Sequence, residues 1–335
     1  MGGRAILVLG DINVDVMARL PAALLPGGDN LPQQVELHLG GVGANVAVAL
    51  AKWGVEARLA GCLGRDAFGD FALAALGRQS VDVRALARAD AATGLIFIPV
   101  DPGRRRTIIG ARGANELTPA LHARACLEDV AGVHLVGYSL LSAATAEWLR
   151  DVVALAAGRG APVTLDVGLA PSRAARTKVL ELAPQMDALF VGQEEAEALT
   201  GASGPRALDA IAECGARVVV VKHGAAGCQF RVAGAGGRWW KIAPLEVAAV
   251  DTTGAGDALA AGWWVARLRG WETGDCASLA NACGAAAATV LGAGEQMPGP
   301  ADVMRVLESQ PMGGREASAA GRLLRLLQGE KLASA

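Results

Sequence analysis

The stretch AVDTTGAGDALAAGWW, residues 249–264, contains the residue types needed to bind a phosphate and to move a proton beside it. Gly254 and Gly256 precede an alanine-rich run that predicts a helix. Backbone amides at a helix N-terminus bind anions through their unpaired N–H groups and the helix dipole. Asp257 falls in the first turn, where a carboxylate would repel a phosphate but would take a proton from a hydroxyl. The alternative is an Asp-capped helix after a tight turn.

The elements that would position this stretch alternate between apolar strand patterns and helical patterns. The predicted strands are residues 5–10, 133–137, 162–167, 187–192 and 217–222, and the predicted helices are residues 44–54, 143–160 and 204–215. The strand runs are rich in Val, Leu and Ile, as buried parallel strands are. The alternation predicts an α/β fold with a mostly parallel sheet and helices on both faces.

Two stretches break this alternation. Residues 33–41 and 93–113 alternate or turn back as antiparallel strands would, and the second contains the turn signal DPGR. We expect a small β-sheet, built from about residues 12–40 and 93–113, that projects from the main domain as a lid. The arginines at its tip, Arg104, Arg105 and Arg106, are interpreted as solvated turn residues.

Composition and charge exclude several function classes. The 335 residues carry a formal net charge of −2, unlike the basic surface of a nucleic-acid binder. The first apolar run is too short to span a membrane and lacks the pattern of a secretory signal. The six cysteines are scattered without a C-x-x-C pair, which favours reduced core thiols over disulfides or a zinc site. We expect a cytoplasmic protein with no nucleic-acid or membrane partner.

The ordered motifs resemble the ribokinase-like (PfkB) family of sugar and nucleoside kinases, from about residue 5 to about residue 308. DTTGAGD resembles the second signature of the family, and GGVGANVAVALAKWG, residues 40–54, resembles the first. GDINVD, residues 10–15, is similar to the sugar-binding turn, and VKHGAAG, residues 221–227, to the nucleotide-side turn. Such a series of motifs is far more specific than one glycine-rich turn.

The resemblance implies a three-layer α/β/α kinase domain over residues 1–310 with a projecting β lid. Residues 311–335 form a C-terminal tail, interpreted as a frayed or docked helix, with a membrane-surface or partner helix as the alternative. The implied activity is ATP-dependent phosphorylation of a sugar or sugar-derivative hydroxyl, with Mg²⁺ as cofactor. The family often dimerises through the lid, so we expect a homodimer.

The resemblance also implies roles for individual residues. Asp257 is the catalytic base, and the amides of Gly254, Ala255 and Gly256 form the anion hole. The implied sugar-binding residues are Asn13, Asp15, Gly41 and Asn45, with a helix-capping amide as the alternative for Asn45. The implied nucleotide-binding residues are Lys222, Gly224, Gly227 and Asn281. Asp251 is an implied ligand of K⁺, with a turn cap as the alternative.

The chain departs from the family pattern at the magnesium motif and at the sugar site. Gly192 replaces the asparagine of the Asn-x-x-Glu motif, while Glu195 keeps the glutamate position and would hold Mg²⁺ through water. The alternative for Glu195 is a solvated acidic helix start. GYSLLS, residues 137–142, lacks the glutamate of ribokinases proper, so ribose specificity stays open. Arg112 is similar to an arginine that meets the carboxylate of 2-keto-3-deoxygluconate in its kinases, which makes a sugar acid a candidate.

Three other functions are weighed against a sugar kinase. A nucleoside kinase of the same family ranks lower, because the lid offers little aromatic surface beyond Phe97 for stacking a base. A dinucleotide-dependent oxidoreductase would need G-x-G-x-x-G after the first strand, where this chain has GDINVD. A catalytically silent sugar- or nucleotide-binding homologue is suggested by Gly192, but the retention of Asp257 speaks against it. The sequence predicts a carbohydrate kinase.

Overall fold

The computed structural model describes residues 5–103, 105–117, 123–311 and 319–329, so Arg104 lies outside the described residues. The strands are β1 (Ala5–Leu9), β2 (Asn13–Arg19), β3 (Gln34–Gly40), β4 (Ala57–Gly64), β5 (Leu86–Ala89), β6 (Gly94–Val100), β7 (Ile109–Ala111), β8 (Val130–Val136), β9 (Val163–Asp166), β10 (Ala188–Gly192), β11 (Val218–Lys222), β12 (Cys228–Val232) and β13 (Trp240–Ile242). The α-helices are α1 (Val42–Lys52), α2 (Ala67–Arg78), α3 (Ala123–Cys126), α4 (Ala143–Ala157), α5 (Leu169–Ala174), α6 (Arg176–Leu182), α7 (Gln193–Thr200), α8 (Pro205–Ala212), α9 (Ala255–Leu268), α10 (Thr273–Ala287), α11 (Pro300–Glu308) and α12 (Ala319–Leu327).

The central sheet has the strand order β13-β12-β11-β10-β9-β8-β1-β4-β5. Its strands from β11 to β5 pair in parallel, and β12 and β13 add an antiparallel edge. The five predicted strands are β1, β8, β9, β10 and β11, which lie next to one another in this sheet. The predicted α/β class and the mostly parallel sheet are therefore confirmed.

A second sheet of four strands has the order β3-β2-β6-β7. β2 pairs antiparallel with β3 but parallel with β6, so the sheet is mixed, where the sequence pattern had indicated antiparallel pairing alone. The parallel pair arises because β4, α2 and β5 intervene between β2 and β6 along the chain, and only a crossover connection of that length joins parallel neighbours.

Helices cover both faces of the central sheet, as expected for this alternation. One hydrophobic core joins β1 and β4 to α1, α9 and α10, and a second joins the opposite face of β8–β11 to α4, α6, α7 and α8. In the first core, Phe190 of β10 packs edge-on against Trp263 of α9, with ring centroids 5.7 Å apart. This packing holds α9 against the middle of the sheet, and so fixes where its N-terminus lies.

The last described helix, α12, packs on the outer side of α10 and α11. Leu323 is buried in the first core, and Arg322 makes two 2.7 Å hydrogen bonds to the carboxylate of Asp275 on α10. Among the described helices, none combines the length and the apolar character that crossing a bilayer requires.

Candidate active site

The carboxyl ends of the parallel strands bring residues distant in sequence to one edge of the central sheet. Asp166 ends β9, Gly192 ends β10 and Lys222 ends β11. Helix α9 starts at the same edge. This proximity is shown by the distance of 3.4 Å between Nζ of Lys222 and a Cβ built on Gly256. Ligands of open parallel sheets bind outside these strand ends, so this edge is the candidate site.

Asp257 is buried beside the start of α9 and is held by an amide from α1. Its Oδ2 accepts a 2.7 Å hydrogen bond from Nδ2 of Asn45, whose Oδ1 accepts a 2.9 Å bond from the amide of Gly294. Burial raises the pKa of Asp257 to about 7; the Asn45 hydrogen bond opposes this shift and the charge of Asp166 adds to it. A carboxyl group with this pKa exchanges protons near neutral pH, as a general base must.

The backbone at the start of α9 leaves several amides unpaired. Gly254 has φ +76°, a left-handed conformation that favours glycine. The amide of Ala255 donates to the carbonyl of Thr252 over 3.2 Å, but within the described chain we find no acceptor for the amides of Gly254, Gly256 and Asp257. The amides available to bind an anion are therefore those of Gly254, Gly256 and Asp257. Compared with the predicted set, Ala255 is absent and Asp257 is added.

Lys222 forms an ion pair that the sequence reasoning missed. Its Nζ lies 2.6 Å from Oδ1 of Asp166, and both side chains are mostly buried. Burial alone would lower the pKa of Lys222, but the carboxylates of Asp166 and Glu195 outweigh it and raise that pKa, so the ammonium stays charged. The only sequence signal for Asp166 is an aspartate that closes an apolar strand, VTLD.

A cavity of about 480 Å³ lies on the β11 side of the α9 N-terminus. It contains the four residues predicted to bind the nucleotide, Lys222, Gly224, Gly227 and Asn281, together with Gly256. The Nδ2 of Asn281 donates to the carbonyl of Ala243, which leaves its Oδ1 for other contacts. Most of the remaining wall is apolar, from the segment 244–249 and helix α10. This volume and lining suit a flat aromatic base next to a phosphate group.

A second cavity of about 360 Å³ lies between the small sheet and the segment that leads into α9. Its lining from the small sheet consists of Asp15, Met17, Arg19, His38, Ile98, Val100 and Arg106. Its other wall includes Ala249 and Thr252, which also line the first cavity. The two cavities therefore meet at the start of α9.

The residues predicted to bind a sugar surround the base of the small sheet. Asn13 starts β2, and its Oδ1 accepts a 2.8 Å bond from Asn115. Asp15 has a shielded Oδ1 without a described partner, and burial raises its pKa to about 6. Gly41 has φ +93° and precedes α1, which carries Asn45. Of these four residues, Asp15 lines the second cavity, and Asp15 is also the residue with an unsatisfied acceptor atom.

Asp251 is fully engaged by protein groups. Its Oδ1 accepts from the amide and hydroxyl of Thr253 at 3.0 and 2.8 Å, and its Oδ2 accepts from the amide of Gly292 at 3.0 Å. Arg106 also contacts Asp251 and the Thr253 hydroxyl. These bonds match the turn-cap alternative rather than a K⁺ ligand.

Comparison with known proteins identifies the family. A family model described as "pfkB family carbohydrate kinase" matches residues 4–300. The chain belongs to the PfkB family of carbohydrate kinases. It is 30% identical to fructokinase-1 of Oryza sativa subsp. japonica, covering 92% of this chain and all of that protein. It is also 30% identical to a 2-dehydro-3-deoxygluconokinase of Thermoproteus tenax, covering 86% of this chain and 90% of that protein.

A solved structure shares the fold. A putative ribokinase II from E. coli in complex with ATP and Mg²⁺ superposes with a TM-score of 0.77 at 25% identity, covering 91% of this chain and 99% of that one. The ribokinase fold expected from the sequence is confirmed, and the chain is a phosphotransferase with an alcohol group as acceptor, as PfkB carbohydrate kinases are.

The magnesium motif of this PfkB kinase has one carboxylate near the phosphate-binding edge. Glu195 Oε2 accepts a 2.8 Å bond from the amide of Gly192, so one oxygen caps α7. Within the described residues, no group of three His, Cys, Asp or Glu side chains could hold a metal. This donor set fits a Mg²⁺ ion that takes most of its ligands from phosphates and water.

Arg112, the arginine expected to meet an acidic substrate, is held by protein groups in this PfkB kinase. Its Nη1 donates to the carbonyl of Tyr138 at 2.7 Å, and its Nη2 donates to Asp11 at 2.9 Å. It lines neither of the two cavities. Of the lid-tip arginines, Arg105 is a solvated turn residue paired with Asp101, whereas Arg106 reaches across the second cavity, which the sequence did not predict.

Proposed function

We propose that this kinase transfers the γ-phosphoryl group of ATP to a hydroxyl of a small sugar derivative bound in the second cavity. The observation that carries the proposal is the junction of the two cavities at Thr252, beside the free amides of α9 and the buried Asp257. The pKa of Asp257 responds to Lys222, which lines the first cavity, and to Asp15, which lines the second. Charges from both cavities thus act on Asp257, which supports its proposed role as the base.

In the proposed reaction, Asp257 takes the proton of the acceptor hydroxyl as that oxygen attacks the phosphorus atom. Asn45 holds the carboxylate in position, so that the Oδ1 atom is available for the proton. The amides of Gly254, Gly256 and Asp257 stabilise the negative charge of the transferred group. The proton passes from the hydroxyl to Asp257, the bond between the acceptor oxygen and the γ-phosphorus of ATP forms, and the bond from that phosphorus to the β–γ bridging oxygen breaks, releasing ADP.

Nucleotide binding is proposed to depend on the first cavity. Lys222, Gly224 and Gly227 lie at the phosphate end, and Asn281 lies on the wall formed by α10. Nucleotide binding is proposed to require glycine at position 256, because a side chain there would point at Lys222 and Asp166, where a phosphate would bind. Mg²⁺ held through water by Glu195 would neutralise part of the phosphate charge.

The small sheet is proposed to act as the lid of the acceptor site, and its outer face as a dimer interface. Leu37, Val16, Phe97 and Ile109 occupy one cross-strand row on that face, and three of them are 38–56% exposed. Such a row would be covered by the same row of a second copy. A monomer mass in light scattering would contradict the dimer.

A sugar derivative is favoured over a nucleoside by the lining of the second cavity. The described residues of that lining include no Phe, Tyr or Trp on which a base could stack. We also propose a cytoplasmic location, because all six cysteines are free thiols, as is usual in a reducing compartment.

The test is a coupled assay of ADP release with Mg²⁺-ATP and a panel of pentoses, hexoses, sugar acids, sugar phosphates and nucleosides. We expect ADP release with at least one sugar derivative, and mass spectrometry should show a gain of one phosphate on it. ADP release with nucleosides alone would contradict the sugar assignment. Tight binding of ATP and a sugar without ADP release would support the silent homologue instead.

A further inference from the structure

We infer that the acceptor carries a carboxylate or phosphate group at the end remote from the phosphorylated hydroxyl, and that Arg19 and Arg106 bind it. This inference rests on the proposed function, since it names the substrate class of the same site. It uses two arginines of the small sheet and not Arg112, which lines neither cavity and whose Nη1 and Nη2 donate to Tyr138 and Asp11.

The two arginines lie at neighbouring positions across three chain segments. Arg19 of β2 pairs with Val100 of β6, and Val100 pairs with Arg106 by an isolated bridge. At the usual strand spacing, the two arginine backbones are about 10 Å apart. All three residues line the second cavity, as does Asp251, the acid that pairs with Arg106.

Both guanidinium groups keep hydrogen-bond donors that protein groups leave unused. Nε of Arg19 is shielded from solvent and has no hydrogen-bond partner among the residues that the structure describes. Its nearest acid is Glu36, at 3.6 Å, which is too long for a hydrogen bond. Arg106 contacts Asp251 and Thr253 through Nη1 alone, and we find no acceptor for its other nitrogens in the described part of the chain.

A buried donor without an acceptor is costly, and it is satisfied when a ligand supplies the acceptor. A neutral sugar would offer hydroxyls that both donate and accept, whereas two planar guanidinium groups offer donors only. Carboxylate and phosphate oxygens are acceptors only, and they match this geometry with charge-assisted bonds. The free donors of Arg19 and Arg106 therefore favour an anionic group.

The cavity also has the polarity that such a substrate requires. Asp15, the unsatisfied acceptor suited to hydroxyls, lies four residues before Arg19 on β2, about 13 Å away along the strand. Asp15 pairs with His38 close to the end of β3, and β3 leads directly into α1, whose Asn45 bonds Asp257, so the hydroxyl-binding end is also the end near the proposed base. Allowing for the reach of the arginine side chains, a five- or six-carbon chain with a terminal anion fits between the two ends.

The experiment compares two matched pairs of acceptors in the ADP-release assay: 2-dehydro-3-deoxygluconate against fructose, and ribose 1-phosphate against ribose. We expect kcat/KM to be at least about 10-fold higher for the anionic member of one pair, and the pair that shows this distinguishes carboxylate from phosphate. Arg19→Gln and Arg106→Gln should each raise KM for that anionic acceptor about 10- to 100-fold, since each removes charge-assisted hydrogen bonds. KM for its neutral counterpart should change less than threefold.

The matched control is Arg105→Gln, which removes an arginine from the same turn. Arg105 is 79% exposed, pairs with Asp101 and does not line the cavity, so KM should be unchanged for all acceptors. Arg106→Lys should restore part of the affinity, because the lysine keeps the charge but not the planar fork.

Two results would overturn the inference: a preference for both neutral sugars in the unmodified enzyme, or an equal loss with neutral and anionic acceptors in both glutamine variants. Thermal-shift measurements with the same four compounds distinguish failure of the anion-site inference from failure of the proposed kinase activity. If no compound releases ADP, the proposed function fails, but stabilisation by an anionic sugar that is lost in Arg106→Gln would still support the anion site. Absence of that stabilisation would reject it.

Discussion

Replacing Asp257 with Asn separates the chemical role of this residue from its structural role. The amide keeps the size of the carboxyl group, and its Oδ1 can accept the hydrogen bond that Asn45 donates. It cannot take a proton from the acceptor hydroxyl. General-base catalysis contributes about 10²- to 10⁴-fold to enzymatic rates, so we expect kcat to fall by that factor, with KM for ATP and acceptor changed less than about threefold.

The same substitution should stabilise the fold. Burial raises the pKa of Asp257 from 3.8 in a model peptide to about 7, so the native state binds this proton more tightly than the unfolded chain. The folded state therefore loses stability as the pH rises from about 4 to about 7, and the full cost remains above pH 7. The raised pKa corresponds to up to about 4 kcal/mol, which the neutral amide would recover at pH 8.

The measurements are kcat from coupled ADP release and Tm from thermal unfolding, both at pH 8. Asp209→Asn on the exposed side of α8 is the matched control, and it should change neither. A variant at Asp257 with near-normal kcat would refute the assignment of the base. A lower Tm together with lost activity would show that the carboxylate stabilises the fold, contrary to the reasoning above.

Three further predictions concern the acceptor site, the metal site and the start of α1. Because burial raises the pKa of Asp15 to about 6 and its ionised form accepts hydrogen bonds from hydroxyls, KM for the acceptor should rise as the pH falls below 6. A flat profile from pH 5 to 8 would contradict this. Gly192→Asn can be accommodated, since its Cβ would lie 3.4 Å from Glu195. This variant should reach half-maximal activity at a lower Mg²⁺ concentration. Gly41→Ala combines φ +93° with a Cβ that would clash with the carbonyl oxygen of Asp11, so urea unfolding should show a loss of more than about 2 kcal/mol.

The central strands, their parallel pairing and the edge that carries the candidate site follow from local sequence patterns, whereas the strand order does not. Continuous apolar runs such as RVVVVK have the pattern of buried parallel strands, and parallel strands place their carboxyl ends on one side. The roles predicted for Lys222 and Glu195 came from the family resemblance, and the ends of β10 and β11 place both residues at this edge. The left-handed conformation of Gly254 also follows from its residue type, because glycine adopts positive φ at low cost.

Contacts between the small sheet and the main domain could not be predicted in this way. Arg106 and Asp251 are 145 residues apart, and their contact depends on how two sheets are oriented in space. Arg106 and Arg105 are adjacent and identical in type, yet one faces the cavity and the other faces solvent. Strand pairing decides between them, since the bridge from Val100 to Arg106 sets which face each side chain occupies.

Arg112 shows a second limit of sequence patterns. Its position in GARGANEL indicates a cationic group near the site, but the pattern does not show which acceptors the guanidinium reaches. In the fold, burial raises the pKa of Asp11, which follows β1, to about 6, although the Arg112 guanidinium beside it opposes this shift. The ionised carboxyl is therefore stabilised by a nearby cation. Arg112 therefore pairs with Asp11, a buried acid of the protein itself.

Strand β2 alternates between two surfaces, with Asp15, Met17 and Arg19 toward the cavity and Val16 in the outer apolar row. If the proposed acceptor site and dimer interface are correct, adjacent codons of this short segment are under different selective pressures, one from the acceptor molecule and one from the second copy. An insertion or deletion of a single residue would exchange the two sets at once. Divergence in what such a kinase accepts is therefore expected to proceed by point substitution within β2, with its length preserved.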